Sequence, residues 1–488
     1  MKVMFVVPPD TLSIESSVFR AYEKERGEYP KLGMLYVAAY LERELKIKPE
    51  FVDCQAEQLD YNGLVSRVAA YSPDIVAFSV LTFNLLDAIK SARLLKHNCP
   101  GVRVCFGGVH VNLYPRETLA LPEIDFIIHG EGERSFSMLI QGLLEKWNPE
   151  RLDGINGLGW KEGSKLHFNG ITDRVPDLNQ LPFPARHLLN LKNYSHVLAK
   201  GHQFMTIQAS RGCPYACTFC DIRKTKFRAR TADNVMMEIL ALLDMGVDEF
   251  FFVDDTITVQ KKLLFEICNQ IIDRGLKVNF KVSSRVDHVT EELLEVLRKA
   301  GCYRIHYGVE SGSQRILDYM EKDATLDQIR HAFRITKQAG LQAFAYLMIG
   351  VPTETYEEIQ QTIRFAISLD ADYAQFSICT PYPKTELTMR MLKQGLIKFD
   401  SWQKFAEDPT EGFEVSFWNT LFSEEQLRAL QAEAHARFYG RPSYMLKKLM
   451  EVRSWHDFHS KLRLGGKLLV KLREATRATH EPYIQTGV

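Results

Sequence analysis

Long apolar runs are missing from this chain, and so is any excess of one charge. No stretch reaches the roughly 20 apolar residues that a membrane-spanning helix needs. Lysine plus arginine number 61 and aspartate plus glutamate 61, a formal net charge of zero. A nucleic-acid binder usually shows a basic excess or stripe, so no nucleic-acid partner is expected. The opening Met1-Lys2-Val3-Met4-Phe5-Val6-Val7-Pro8-Pro9 has too short an apolar run for a signal peptide and no small-residue cleavage site. The expected location is therefore cytoplasmic. Cysteine is also scarce, with nine in 488 residues, which excludes a disulfide scaffold and points first to metal or redox work. Cys54, Cys99, Cys105, Cys268, Cys302 and Cys379 stand singly and read as packing residues. No solenoid period is visible. With 45% hydrophobic and 25% charged residues, the chain is an ordinary globular protein with room for roughly three domains.

What is present is a regular alternation of elements. Val3–Val7, Glu50–Asp53, Ile75–Val80, Arg103–Gly107 and Phe126–His129 read as strands, with helices at Lys31–Arg43 and Leu86–Lys96. Such alternation implies a doubly wound α/β sheet over residues 1–145, with ligands held at the carboxyl ends of its strands. The loops there carry Ser79, Thr82, Gly107, Gly108, Val109, His110, Gly130 and Glu131. Residues 146–195 are rich in turn formers and read as a linker with a small hairpin around Gly163. Six further strand and helix steps begin at Phe204–Gln208, including strands at Glu249–Val253, Lys277–Ser283, Tyr303–Val309, Ala343–Ile349 and Tyr373–Ile378. These fit a partial (β/α)6 TIM-like barrel over 196–395, whose chemistry belongs at the strand ends. Residues 396–488 lose the strand signal. Ser423-Glu424-Glu425-Gln426 is a good helix start, so this region is expected to be mainly helical.

One segment carries chemistry by itself: Ser210-Arg211-Gly212-Cys213-Pro214-Tyr215-Ala216-Cys217-Thr218-Phe219-Cys220. At this cysteine content, chance gives such a three-cysteine spacing roughly 0.003 times per chain. Three thiolates on one short loop can bind three irons of a 4Fe–4S cubane and leave the fourth open to a bidentate ligand. Zinc would ask for four closed ligands, usually from two paired motifs. The loop also follows the predicted first barrel strand, where barrel sites belong.

This segment resembles the signature of the radical S-adenosylmethionine (SAM) superfamily, and the likeness extends over about 190 residues. It implies that Cys213, Cys217 and Cys220 hold the cluster and that SAM chelates the open iron. An electron from a donor such as flavodoxin or ferredoxin then breaks a carbon–sulfur bond and starts radical chemistry. Phe219 matches the family aromatic near adenine. Asp254 and Asp255 stand at the second-strand end where a SAM-amine contact is expected, although the family's Gly-Gly-Glu form is missing. Ser283, Arg285 and Glu310, at the third and fourth strand ends, match contacts to the ribose or methionine part of SAM. The loops Gly350-Val351-Pro352-Thr353-Glu354-Thr355 and Pro381-Tyr382-Pro383-Lys384-Thr385 resemble the next two. Each polar residue also has a plain reading. Asp254 or Asp255 can cap a helix, Glu310 can accept in a turn, and Arg285 can pair with Asp287 or Glu310.

A doubly wound domain before such a barrel resembles the cobalamin-binding subgroup, on Pro30-Lys31-Leu32-Gly33-Met34, Ser79 to Asn84, Gly107-Gly108-Val109-His110 and Gly130-Glu131-Gly132-Glu133. The Asp-x-His-x-x-Gly loop of other cobalamin proteins is absent after the first strand, so no lower axial histidine is expected. The resemblance implies methyl transfer through cobalamin to an unactivated carbon of a small-molecule or lipid-like substrate. Similarity to the anaerobic magnesium-protoporphyrin cyclases and hopanoid-modifying enzymes keeps a ring closure, oxidation or adenosyl addition open. A cobalamin sensor without turnover is a third reading, opposed by the full set of SAM-loop matches. The tail mixes basic and aliphatic residues at Lys461-Leu462-Arg463-Leu464 and Lys467 to Arg473. It reads as a helix packed with a solvated basic face, or as a peripheral membrane contact.

Overall fold

The structure is a computed structural model and describes residues 1–14, 28–146, 148–170, 174–195, 200–413, 415 and 421–450. The basic tail from Lys461 lies outside the described residues. No helix among those described is long and apolar enough to cross a membrane. The chain divides into two compact units. One comprises Met1–Arg211, Phe227–Phe251 and Asp400–Val415; the other comprises Gly212–Lys226, Phe252–Phe399 and the described residues beyond Ser416.

The first unit is built on a seven-stranded sheet. In chain order its strands are β1 (Val3–Val7), β2 (Glu50–Asp53), β3 (Ile75–Ser79), β4 (Arg103–Gly107), β5 (Phe126–Ile128), β6 (Leu158–Glu162) and β7 (Lys165–Phe168). They lie side by side as β2-β1-β3-β4-β5-β6-β7. The first five are parallel, whereas β6 and β7 add as an antiparallel hairpin. The expected hairpin around Gly163 is thus part of the sheet, because Phe126, Ile127 and Ile128 present a ladder that Trp160, Gly159 and Leu158 complete. Gly159 is required there, since a Cβ would sit 2.6 Å from the Ile127 side chain.

Each parallel strand is apolar on both faces, as a doubly covered sheet demands. Val3, Phe5 and Val7 join Ile75, Ala77 and Cys105 under helices α1 (Leu32–Leu45) and α6 (Gly132–Leu144). Met4, Val6, Val76, Phe78 and Phe106 face the other way, toward α2 (Tyr61–Tyr71) and α3 (Leu85–Asn98). Between α3 and α6 lie the short α4 (Val109–Leu113) and α5 (Pro115–Ala120). Trp402 and Phe405, from the distant segment 400–415, complete that second core, with Trp402 edge-on to Phe83 at 5.5 Å. A helical pattern does not say which core it covers, so sequence alone gave no sign of this return. Strand order reverses between β1 and β3, and such a switch point opens a crevice outside the strand carboxyl ends.

A second sheet has six strands in the order β8-β11-β12-β13-β14-β15. These are β8 (Phe204–Ile207), β11 (Glu249–Phe252), β12 (Asn279–Ser284), β13 (Cys302–Glu310), β14 (Gln342–Ile349) and β15 (Tyr373–Ile378). A two-stranded hairpin, β9 (Ser210–Arg211) with β10 (Arg228–Ala229), brackets the cysteine loop. Between the strands run α7 (Ala232–Asp244), α8 (Lys261–Asp273), α9 (Glu291–Lys299), α10 (Gln314–Tyr319), α11 (Leu326–Gln338) and α12 (Tyr356–Ser368). Thr231, Thr290, Thr325 and Thr355 each accept a backbone N–H at a helix start, typically worth about 1 kcal/mol.

The barrel stays partial, and its last strand is closed by side chains. Helix α13 (Glu386–Lys393) follows β15, and α14 (Ser401–Glu407) belongs to the first unit. Helix α15 (Glu424–Tyr439) opens with the expected Ser423/Gln426 capping box and lies along β15, with α16 (Pro442–Met450) after it. The Tyr439 hydroxyl receives the Ala374 N–H at 3.0 Å and donates to the Ala374 carbonyl at 2.7 Å. Gln431 donates to the Phe376 carbonyl at 2.8 Å, and the Phe376 N–H donates to His435 Nε2 at 3.4 Å.

Candidate active site

The cysteine loop is shaped by hydrogen bonds within the second unit. Gly212 opens it at φ +90°, where a Cβ would lie 2.4 Å from the Lys226 carbonyl oxygen. Its N–H donates to the Asp255 carboxylate at 2.8 Å. The Cys213 N–H donates to Thr225 Oγ1 at 2.8 Å, and Thr225 Oγ1 donates to the Ile222 carbonyl at 2.8 Å. Thr218 donates from its backbone to the Met320 carbonyl at 2.9 Å, and its own carbonyl takes the Leu387 N–H at 2.8 Å. These bonds hold Cys213 and Cys217 buried and Cys220 half-buried.

Among the described residues, no three Cys, His, Asp or Glu side chains converge as a single metal ion requires. A cubane makes a different demand, since each thiolate takes a separate iron corner. Three thiols spread around one loop fit that demand. Burial raises the Cys217 thiol pKa, with Lys322 and Arg285 pulling it back down. Burial pushes the Cys220 thiol up to about 12. Metal loading must therefore displace protons from both sulfurs.

Basic groups gather beside Cys217. Arg285 Nη1 lies 4.0 Å from its sulfur, with the guanidinium 4.0 Å from the centre of the Tyr215 ring. Of the two carboxylates offered to Arg285 by the sequence, the structure chooses Asp287, at 2.9 and 3.0 Å. Glu310 pairs instead with Lys322, Nζ to Oε1 2.7 Å, both side chains buried. Gly308 makes room, because a Cβ there would fall 2.5 Å from Glu310 Oε1 and 2.7 Å from Lys322 Nζ. Glu310, Glu321 and Asp323 all have positive φ, at 65°, 51° and 53°, a strained arrangement for non-glycine residues. Lys322 is thus flanked on both sides by left-handed backbone, and its ammonium also lies 6.0 Å from the Phe219 ring centre. Sequence reasoning missed Lys322, since one lysine in a loop carries no motif.

The remaining barrel residues separate by burial. Asp254 is buried, whereas Asp255 is exposed and engaged by Gly212. Ser283 is half-buried and stands in register with His306. The neighbouring Ser284 is buried against Thr258, 3.0 Å between hydroxyls.

In the first unit, Ser79 and Gly107 are register partners at the ends of β3 and β4. The Val80 N–H donates to the Gly107 carbonyl at 2.8 Å and the His110 N–H to the Val80 carbonyl at 2.9 Å. Thr82 and His110 turn inward. Both are buried, with Thr82 Oγ1 3.1 Å from His110 Nδ1. His110 therefore shapes the loop from beneath and does not project from the strand ends. Gly108 at φ +97° and Gly130 at φ +99° make the sharp turns, and Asn112 receives the Gly130 N–H at 2.7 Å. What does project is apolar: Leu81 is 47% and Val109 38% exposed. The loop after β1 carries no histidine. Asp87 holds its first residues by accepting from the Thr11 and Leu12 N–H groups at 3.0 Å and from the Ser13 hydroxyl at 3.2 Å. An apolar lip at the strand carboxyl ends fits the flat face of a corrin.

Glu131 differs from its neighbours. It stands at the N-cap of α6 without capping it, and its carboxylate meets Arg228 and Arg211 instead. Burial would raise its pKa, but those arginines hold it below the usual carboxylate value.

Two family models match. The "Radical SAM superfamily" matches residues 207–366 and the "B12 binding domain" residues 23–140. The chain is 33% identical to an uncharacterized methyltransferase of Pyrococcus horikoshii over 96% of this chain and 98% of that one. It is 28% identical to the anaerobic magnesium-protoporphyrin IX monomethyl ester cyclase of Cereibacter sphaeroides, over 75% of this chain and 61% of that one. Among solved structures, a radical S-adenosylmethionine methyltransferase of Kitasatospora setae, with cobalamin and a 4Fe–4S cluster bound, superposes with a TM-score of 0.69. That match has 16% identity over 98% of this chain and all of that one. The chain belongs to the cobalamin-binding radical SAM family, whose cofactors are a 4Fe–4S cluster, S-adenosylmethionine and cobalamin.

Proposed function

We propose that the chain transfers a methyl group by way of cobalamin to an unactivated carbon of a small-molecule or lipid-like substrate. The observation that carries this is one chain holding both an apolar lip at the strand carboxyl ends and a three-thiol loop beside a buried lysine–glutamate pair. When bound, the cluster and SAM supply a carbon-centred radical, and cobalamin supplies the methyl group. Cys213, Cys217 and Cys220 would hold three irons. Lys322 and Arg285 would offer positive charge to the SAM carboxylate, and Glu310 or Asp254 would offer a carboxylate to its amine or ribose. Phe219 gives adenine a ring to pack on, and Ser283 a hydroxyl from the sheet. In the first unit Leu81 and Val109 would lie under the corrin, with Ser79, Gly107, Gly108 and Gly130 allowing close backbone approach. Thr82 and His110 support that lip from below. The loop after β1 has no histidine that it could offer to cobalamin.

The reading implies a one-electron donor such as flavodoxin or ferredoxin. It also allows peripheral membrane contact through the tail. Liposome co-sedimentation unchanged by truncation after Ser460 would remove that contact. The decisive experiment supplies anaerobically reconstituted protein with SAM deuterated on its methyl group, reductant and candidate substrates. A product three mass units heavier than with unlabelled SAM is expected. Similarity to the cyclase favours a second reading, radical ring closure, and an unlabelled but oxidised product would establish it.

A further inference from the structure

We infer that Glu131 and Glu133 are positioning residues for the cysteine loop, and that through them cobalamin occupancy and cluster retention are coupled. The loop leaves the chain after Arg211 and returns before Arg228, and these two arginines are direct register partners in the β9–β10 hairpin. Facing guanidinium groups in register repel. Two carboxylates answer them, Glu131 from the turn that follows β5 and Glu133 from the first turn of α6. Arg211 Nη2 lies 2.7 Å from Glu133 Oε1, and Nη1 3.5 Å from Glu131 Oε2. Arg228 grips both oxygens of Glu131, one at 3.1 Å, and donates to the Val175 carbonyl at 2.5 Å. The Val175 N–H closes the ring on Glu131 Oε2 at 2.9 Å. Tyr36 of α1 lies beneath, its ring centre 5.1 Å from the Arg211 guanidinium.

All four charged side chains are at most one-fifth exposed, so removing one partner leaves a poorly solvated charge unpaired and costs more than breaking a surface pair. Every one of these contacts lies within the first unit. The segment bearing the two glutamates sits at the carboxyl end of β5, the edge on which this fold holds its ligand. A ring seated on that edge restrains the segment, the segment fixes both arginines, and the arginines fix both ends of the loop. Coupling of this kind is reciprocal.

The inference rests on the reading that Cys213, Cys217 and Cys220 carry a cluster. The test uses full-length, anaerobically reconstituted protein, with iron release to bathophenanthroline followed with and without hydroxocobalamin. In the unsubstituted protein hydroxocobalamin slows release several-fold. In Glu131→Gln release is about tenfold faster, within the usual range of coupling free energies, and hydroxocobalamin no longer slows it. Hydroxocobalamin affinity of the cluster-free protein stays within about twofold, while the cluster-loaded protein loses the several-fold gain that reciprocity requires. Arg228→Lys keeps the charge but loses the two-point grip, and gives an intermediate rate. Amide hydrogen exchange across residues 212–227 in cofactor-free protein rises in Glu131→Gln, a readout that needs no cluster. Unchanged iron release and exchange in both variants overturn the inference. A large loss of hydroxocobalamin affinity with release unchanged also overturns it, since Glu131 would then be a ring contact. Unsubstituted protein that takes up no cluster refutes the underlying reading instead, and the exchange measurement still decides the clamp.

Discussion

Replacing Glu354 by glutamine should make the protein more stable at alkaline pH and leave it unchanged in acid. Glu354 is fully buried in the turn after β14. Its Oε2 accepts the Gly350 and Val351 N–H groups at 2.7 and 3.1 Å, while Oε1 is buried without a hydrogen-bond partner. Burial pushes the carboxyl up to about 8, with the two N–H donors opposing it. A folded-state value above the ordinary 4.5 means the folded protein holds a proton that the unfolded chain gives up. The favourable contribution is complete below about 4.5 and is lost as pH rises toward 8. The full span has a ceiling of about 5 kcal/mol, of which about 3 kcal/mol falls by pH 7. Glutamine keeps the accepting oxygen and replaces the unpartnered O–H with an equally unpartnered N–H, so the two proteins should match near pH 5. Urea unfolding of cofactor-free protein, followed by circular dichroism at intervals from pH 5 to 8, reads the difference. The unfolding midpoints should diverge steadily, with Glu354→Gln ahead at pH 8. Parallel profiles would refute the reasoning, because the carboxyl would then ionise alike in both states.

Acid should act in the opposite direction through His435. Its burial lowers the imidazole to about 4, so stability is lost as pH falls from 6.5 toward 4, by up to about 3 kcal/mol. In His435→Gln the same unfolding measurement, run from pH 7 down to 4, should be flatter over that window. Lys322→Met strands a buried carboxylate and should cost about 3–5 kcal/mol. Adding Glu310→Gln should recover most of that stability but not SAM affinity, as measured by equilibrium dialysis on the reconstituted protein. Gly212→Ala drives a methyl into the Lys226 carbonyl at a left-handed backbone position. Iron and sulfide content after reconstitution should fall by more than half, with the circular dichroism spectrum unchanged.

Much of this architecture was legible because local chemistry and periodicity agreed. Tyr373–Ile378 was assigned to the residue, and the Ser423/Gln426 capping box appears where the four residues announced it. The cysteine spacing named its loop without any tertiary information. What escaped was non-local. Arg228 and Glu131 are 97 positions apart, and nothing in either segment marks the other as its partner. Lys322 becomes notable only when Glu321 and Asp323 are seen in left-handed conformations around it. Trp402 carries no mark of the sheet it covers. The sequence pattern at Asp254-Asp255 was ambiguous for a related reason: burial separates the two, and burial depends on how the next turn folds back. The sequence places His110 at a loop end, but only the fold shows that it is buried beside Thr82.

Strand β15 ends its sheet without exposing a raw edge. Tyr439, His435 and Gln431 together answer the N–H and C=O groups of Ala374 and Phe376, as a seventh strand would. A helix standing in for a strand cannot be extended by another chain in the way an open ladder can. Shortening the protein ahead of Ser423 would leave those peptide groups bare and invite self-association. The residues after the barrel are therefore part of what finishes its sheet.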